Sequence, residues 1–336
     1  MDNPRPNFTT EREMIILIIC RVNDPAAVWP EWDRWAELCS RSLFSNQLLS
    51  KMSRIIVPTD FSNTTVTALN VAAEFSKVTG FEVEVAHFHD GYGQEDVIVS
   101  RKGNLSAQIE AQRKLEEFIR FNTAPEDLQR NAHTDVINKL ANRCVIGDAA
   151  PGLVKLSKEA GTEMIVMGAS GAGVVHGSNP FYGSVAKTVS MKSECPVVLV
   201  PKDYEFSGFQ KIAYSFRNEA PLRAIINETK QYLTGNRPKS YFVHLEHDNP
   251  DEERKDIAFL KDPEQRDFMN SDDELKILEP GELVKRLIEF IQEENVDLLI
   301  MGRRKRGFIE SLFVDSEVRP LLTRCKIPLM IVPIDK

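Results

Sequence analysis

Six residues in the first half of the chain are of types that suit nucleotide binding, and they stand at or shortly after the end of an apolar run, or at the start of a helical pattern. They are Asp60, Gly147, Gly168, Gly171, Gly183 and Ser184. A carboxylate accepts hydrogen bonds from ribose hydroxyls, and glycine lets a backbone approach a phosphate closely. A helix N-terminus presents free N–H groups to an anion. Their combination predicts a nucleotide site.

Each of these residues also has a simpler interpretation. A single glycine is typical of a turn, and Asp60 or Ser184 can cap the helix that follows it. The combination favours a site because parallel strands bring their carboxyl ends to one edge of a sheet. His87 and His89 fall at the same edge, as pocket-lining residues or as half-buried strand ends. Lys187 either adds positive charge one turn into the helix or faces solvent.

Catalytic motifs are missing from the sequence. It contains no G-x-x-x-x-G-K-[ST], no G-x-S-x-G and no H-x-x-x-H. The five cysteines are scattered without a C-x-x-C pair, so neither a disulfide framework nor a zinc site is indicated. We therefore expect a binding protein rather than an enzyme, with no catalytic residues and no metal ligands.

Short apolar runs alternate with helical patterns from Arg54 onwards, which is typical of parallel sheets covered on both faces. The pattern occurs twice. Met164-Ile-Val-Met-Gly168 lies 134 positions before Leu298-Leu-Ile-Met-Gly302, and the run from Pro196 to Pro201 lies 132 positions before that from Pro328 to Pro333. The sequence predicts an α/β protein with two tandem Rossmann-like doubly wound domains, each with a five-stranded parallel sheet.

The repeat also predicts the domain boundaries. We expect domain 1 over residues 53–201 and domain 2 over residues 209–334, with a linker near residues 202–208. Residues 1–52 hold all three tryptophans of the chain. We interpret them as a short strand and helix packed on the main body, a loosely attached extension, or non-native sequence, since Met52-Ser-Arg-Ile-Ile-Val-Pro resembles a natural chain start.

Composition excludes several classes of protein. Apolar residues make up 42% of the chain and charged residues 27%, as in soluble globular proteins. A net charge of −8 argues against a broad nucleic-acid surface. No apolar run approaches the 18 or so residues that a membrane span needs. With its scattered cysteines, the chain is expected in a reducing, cytoplasmic compartment.

The ordered motifs resemble those of the universal stress protein family. Val57-Pro58-Thr-Asp60 matches a strand ending in Pro-x-Asp. Val-Met-Gly168-Ala-Ser-Gly171 and Gly183-Ser184 match the G-x-x-G and G-[S/T] pair that follows. The resemblance covers about residues 53–334 as two copies.

This resemblance implies a function and a ligand. It implies ATP or another adenine nucleotide, with or without Mg, and a role in the stress response. The binding residues that it implies are Val57, Pro58, Asp60, Gly147, Gly168, Gly171, Gly183 and Ser184. The family dimerises through its last strand, and its tandem members form that pair within one chain, so the resemblance implies an intrachain pseudo-dimer. A homodimer of the whole chain is a further candidate.

One spacing departs from the family pattern. Eleven residues separate Gly171 from Gly183 where the family has nine. Either two residues are inserted in the loop, or Ser170 and Gly173 take the places of the two glycines; we favour the insertion because Gly168 directly follows the strand. His176 lies in that loop, as does Asn179, and each is interpreted as exposed or as reaching phosphate.

The second copy lacks the same motif. Arg217 stands at the position of Asp60, Lys305 replaces the second glycine, and Asp315 replaces the third. An aspartate there would repel phosphate, so we predict that the second half does not bind ATP in the family's manner. The run Arg303–Arg306 is interpreted as a solvated loop, as salt-bridged to the acidic stretch 246–294, or as a site for an anion, an acidic partner or nucleic acid. Residues 246–276 are expected to form a polar insertion, with a helix start near Asp272.

Three hypotheses of function follow. The first is a nucleotide-dependent regulatory or binding module that acts through domain 1. The second is a slow ATP hydrolase. The third is a protein that binds a partner and retains only a vestigial pocket.

Overall fold

The computed structural model describes residues 53–89, 101–122, 140–170, 183–202, 204–216, 219–233, 237–245, 269–278, 283–303 and 325–334. All of them belong to one compact unit, residues 49–336. The expectations for residues 1–52, for Gly171 and the loop that follows it, for Arg217 and for residues 304–324 lie outside the described residues.

Ten strands and six helices are described in this unit, in the order of a repeated α/β pattern. The strands are β1 Arg54–Thr59, β2 Glu82–His89, β3 Ala141–Ile146, β4 Thr162–Gly168, β5 Val197–Val200, β6 Lys211–Phe216, β7 Lys239–Leu245, β8 Glu274–Leu278, β9 Leu298–Arg303 and β10 Leu329–Pro333. The helices are α1 Asn63–Thr79, α2 Arg101–Asn122, α3 Ala149–Leu156, α4 Ser184–Lys192, α5 Glu219–Leu233 and α6 Leu283–Glu294.

The strands form one sheet of ten strands in the order β3-β2-β1-β4-β5-β10-β9-β6-β7-β8. All neighbours pair in parallel except β5 and β10, which pair antiparallel. The order is symmetrical about that antiparallel pair, with five strands on each side. The predicted fold class, two doubly wound parallel sheets joined as an intrachain pseudo-dimer, is confirmed.

Apolar side chains on both faces of the sheet explain why its strands are buried between layers of helices. Ile56 packs on the face that carries α3 and α4, while Ile55 and Val57 pack on the opposite face against α1. All three side chains are fully buried. Successive residues of a strand point to opposite faces, so a strand covered on both sides needs a continuous apolar run.

The two halves meet at the β5–β10 pair and in an aromatic cluster beside it. Leu329, Met330 and Ile331 pair with Leu199, Val198 and Val197, and all six are buried. On the α1 face, Phe75 contacts Phe209 with ring centroids 5.2 Å apart. The hydroxyl of Tyr232 in α5 donates to the Glu163 carbonyl oxygen at 3.0 Å. Each half therefore covers part of the other's core.

The predicted helix start near Asp272 is wrong, because Glu274–Leu278 is the edge strand β8. Asp273 accepts a hydrogen bond from Ser240 N at 2.9 Å through Oδ1 and one from Asn270 N at 2.8 Å through Oδ2. Its carboxylate thus fixes a turn against β7 instead of capping a helix. Residues 246–268 of the predicted insertion lie outside the described residues.

A cluster of ion pairs joins β1, β2 and β3 at the amino-terminal edge of the sheet, opposite the strand ends that carry the motifs. The Glu84 carboxylate pairs with Arg143 and lies 3.1 Å from Arg54 Nε. Both arginines also reach Glu159, at 3.1 and 2.6 Å. Because Glu84 is buried, removing one arginine would leave two carboxylates sharing a single guanidinium, which is destabilising.

The close approach of α3 to β2 requires glycine at position 152. A Cβ atom added to Gly152 would overlap the ring of Phe88 and lie 2.8 Å from its Cδ1. Helix propensity alone favours alanine at this helical position by about 0.5–1 kcal/mol.

We predict that Gly152→Ala lowers the free energy of unfolding by about 1–3 kcal/mol, because overpacking outweighs propensity. Urea unfolding measures the change. Combining it with Phe88→Leu should recover part of the loss, since the smaller side chain leaves room for the methyl group. A single variant more stable than the parent would contradict this packing.

Candidate functional site

The carboxyl ends of β1 and β4 form the crevice of the first half. The two strands are neighbours, and the connections that follow them run to opposite sides, β1 to β2 and β4 to β5. Such a topological switch point is where open α/β sheets bind ligands. Five of the predicted residues, Pro58, Asp60, Gly168, Gly183 and Ser184, lie at these two strand ends or at the start of α4.

The end of β1 places one exposed carboxylate at the crevice. Asp60 is exposed, and its Oδ1 accepts a hydrogen bond from Ser62 N at 3.1 Å. Thr59 Oγ1 accepts one from Phe61 N at 2.9 Å, and Phe61 has a left-handed φ of 64°. These bonds fix a tight turn between β1 and α1, which holds the Asp60 carboxylate at the surface.

The other two predicted residues of β1 differ in exposure. Val57 is fully buried among the core residues that α1 covers. Its side chain is therefore a packing element of the core. Pro58 is half-buried.

His87 stands beside this turn at the end of β2. Its Nδ1 lies 2.9 Å from the Thr59 carbonyl oxygen. A carbonyl can only accept, so Nδ1 carries the proton and Nε2 is the acceptor of the neutral ring. The ring packs on Phe61 at 4.3 Å and is parallel to His89 at 6.2 Å. Both histidines are half-buried, and His87 helps to hold the β1 turn in place.

The glycine that ends β4 has a steric role. A Cβ atom at Gly168 would lie 2.7 Å from Thr64 Cγ2 in α1. Gly302, at the same place in the second half, would bring a Cβ atom 2.7 Å from Ile225 Cδ1 in α5. A larger residue at either position would thus have to displace a helix side chain, whether or not a ligand binds there.

A backbone hydrogen bond attaches the N-terminus of α4 to the end of β4. Gly183 N donates to Ala169 O at 3.0 Å, and Ala169 N donates to Val200 O at 2.8 Å. Gly183 is the N-cap, with φ −65° and ψ 149°, and as a glycine it has no side chain to cap the helix. Ser184 is exposed at the first helical position. This N-terminus thus lies at the crevice with no carboxylate in its first turn.

Gly183 and Gly147 differ in whether their backbone angles require glycine. Any residue adopts the angles of Gly183, so the local backbone does not demand glycine there. Gly147 has φ 121°, which favours glycine, and its N–H donates to His89 O at 3.0 Å. Gly147 lies after β3, two strands away from β1 in the sheet.

Arg303 contributes to the first half in a way that the sequence did not predict. Its Nη1 donates to Met191 O at 2.5 Å and its Nη2 to Ser193 O at 2.6 Å. Both acceptors are backbone carbonyls at the C-terminal end of α4. Of the interpretations offered for the Arg303–Arg306 run, none included this contact. Residues 304–306 lie outside the described residues.

Neither a metal-binding cluster nor a membrane-spanning helix is found in the described part of the chain. It contains no group of three or more histidine, cysteine, aspartate or glutamate side chains that could hold a metal ion. Within it, no helix is long and apolar enough to cross a membrane. A groove of about 510 Å³ lies between β8 and α6, lined by Leu278, Lys285, Arg286, Glu289, Phe290 and Glu293.

The environment of His87 predicts a dependence of stability on pH. Burial is the main cause that lowers its pKa below the ordinary 6.5. In the unfolded chain the ring takes up a proton as the pH falls through 6.5, while the folded ring resists protonation until lower pH. The free energy of unfolding should therefore decrease as the pH drops below 6.5.

We predict that His87→Gln loses less stability than the parent between about pH 7.5 and about pH 5.5. Urea midpoints at both values measure the difference, and groups common to both proteins cancel. An equal loss in the two proteins would show that His87 is not held neutral by the fold.

Known proteins were compared with the sequence and with the fold. A universal stress protein from Archaeoglobus fulgidus DSM 4304 is 16% identical with a TM-score of 0.58, over 84% of this chain and 97% of its own. A proposed universal stress protein from Pseudomonas aeruginosa UCBPP-PA14 is 12% identical with a TM-score of 0.55, over 86% of this chain and 95% of its own. At these identities the likeness is one of fold. No curated protein sequence matches significantly.

The family comparison is more specific. The model of the universal stress protein family matches residues 52–201 and again residues 245–333. The two matches together cover well over half of the chain, and they fall on the two halves of the symmetrical sheet. The chain therefore belongs to the universal stress protein family.

Proposed function

We propose that this protein is an adenine-nucleotide-binding regulatory module of the stress response, and that it binds ATP in its first half. The observation that carries the proposal is the meeting of two groups at the switch point. The N-terminus of α4, whose N-cap is a glycine, is bonded through Gly183 to the residue that follows β4, and the exposed Asp60 follows the neighbouring strand β1. A positive helix end beside an exposed carboxylate suits a ligand with phosphates at one end and hydroxyls at the other.

Each residue has a proposed role. Asp60 accepts hydrogen bonds from the ribose hydroxyls, and the main chain of Val57 and Pro58 faces the base. The N–H groups at Gly183 and Ser184 bind the phosphates, with the Ser184 hydroxyl as a further donor. Gly147 and Gly168 supply backbone groups that a side chain does not cover. Gly171 is assigned to the site from the sequence motif alone. Mg would bind through the phosphates of the nucleotide.

We propose that one nucleotide binds to each chain. Domain 1, residues 53–201, binds it, and domain 2, residues 209–334, is the degenerate copy that pairs with domain 1. We place the protein in the cytoplasm. Nucleotide occupancy would act by altering a surface that a protein partner binds.

We predict that calorimetric titration with ATP gives one site per chain. Asp60→Ala should weaken binding by about tenfold or more, because it removes charge-assisted hydrogen bonds. Gly183→Val should abolish binding by filling the phosphate space. Glu82→Ala, which removes an exposed carboxylate at the opposite edge of the sheet, is the matched control and should bind as the parent does.

Three outcomes would contradict this assignment. Two equivalent sites per chain would mean that domain 2 binds ATP in the same manner. Unchanged binding in Gly183→Val would remove the α4 N-terminus from the site. No binding by the parent would favour a partner-binding protein with a vestigial pocket.

Hydrolysis is tested separately from binding. We predict that the parent protein saturated with ATP forms no ADP above the buffer rate over several hours, followed by chromatography. ADP that accumulates with the parent and not with Asp60→Ala would instead show a slow ATP hydrolase.

A further inference from the structure

We infer that Arg303, in the second half of the chain, is a positioning residue for the phosphate end of the site in the first half. The inference rests on the proposed function for what the site binds. Arg303 lies at the end of β9, and its guanidinium donates to backbone carbonyls at the far end of α4. It therefore acts through the helix and not on a ligand.

The contact itself is a helix C-cap supplied across the pseudo-dimer. The last carbonyls of an α-helix have no partner within the helix. Arg303 donates to two of the carbonyls at this end, Met191 O at 2.5 Å and Ser193 O at 2.6 Å. Its positive charge also meets the negative end of the helix dipole.

The helix that receives this cap is short. α4 has nine residues, and an isolated helix of that length is marginal in water. Its N-terminus is fixed by the Gly183–Ala169 bond, and its last turn is closed by Ser193 N donating to Val189 O at 2.9 Å. Arg303 adds the contact from outside the first half. A helix held at both ends presents its first N–H groups in one direction, which lowers the cost of ordering them around phosphate.

The arginine is held firmly enough to do this. Its backbone carbonyl accepts from Ile334 N at 3.2 Å, and its strand pairs with β10 through Pro333. β10 in turn pairs with β5, which follows α4 in the chain. The backbone of Arg303 is thus part of the same sheet as β5, the strand that α4 precedes.

The first half has no residue equivalent to Arg303 at the corresponding position. The position that corresponds to Arg303 in the first half, 134 residues earlier, is Ala169. Alanine has no donor in its side chain, so the first half cannot return the same bond. The copy that lacks the nucleotide motif therefore supports the copy that has it, which gives the second half a role without a ligand of its own.

The test compares Arg303→Ala and Arg303→Lys with Tyr232→Phe in the full chain, by titration with ATP and with adenosine. Tyr232→Phe is the matched control because it removes another hydrogen bond between the halves, the one to Glu163 O, without touching α4. Arg303→Ala should weaken ATP binding about three- to tenfold and leave adenosine binding within about twofold. Arg303→Lys should be intermediate, and Tyr232→Phe should match the parent for both ligands.

Hydrogen exchange without nucleotide separates the two proposals. Arg303→Ala should speed exchange at the last amides of α4, and this exchange can be measured even if the parent binds no ATP. The absence of ATP binding by the parent would contradict the proposed function alone. The inference is overturned by parental ATP affinity in Arg303→Ala, by equal losses for ATP and adenosine, or by unchanged exchange in α4.

Discussion

The antiparallel pairing of β5 with β10 is the interaction on which the rest of the molecule depends. Five of the six side chains in its register are no more than 1% exposed, and Leu329 is 3% exposed, so the junction is part of the core. It turns two doubly wound sheets into one ten-stranded sheet. The same pairing brings Arg303 to the end of α4 and Tyr232 to Glu163. Neither half would be complete in its present form without the other.

The two copies have kept the same packing and diverged in chemistry. Gly168 and Gly302 both lie close to a helix side chain, so the Met-Gly pair has the same packing surroundings in each half. One position later the copies differ, with Ala169 in the first and Arg303 in the second. Part of the family motif can thus be understood from packing, because its glycines lie close to helix side chains.

Much of the fold was predictable because buried parallel strands leave continuous apolar runs, and a duplication leaves them twice. β8 was missed because its acidic start, Asp272-Asp273-Glu274, has the composition of a helix N-terminus, whereas Asp273 bonds to β7 and to the preceding turn. The hydrogen bonds of Arg303 join it to backbone carbonyls 112 and 110 residues away in the sequence, and no pattern of residue types predicts such a contact. The site residues could be proposed from their positions at strand ends, but Gly168 and Val57 also have packing roles that only the three-dimensional contacts reveal.

We propose that nucleotide binds at the N-terminus of α4 and not in the second half. Hydrogen exchange of the full chain with and without ATP tests it most directly, since bound phosphate must protect the backbone amides that it accepts from. We predict protection at Ser184 to Lys187 and at the turn after β1, with no change in β6, β7 and β9. Protection confined to the second half, or equal in both halves, would contradict the claim.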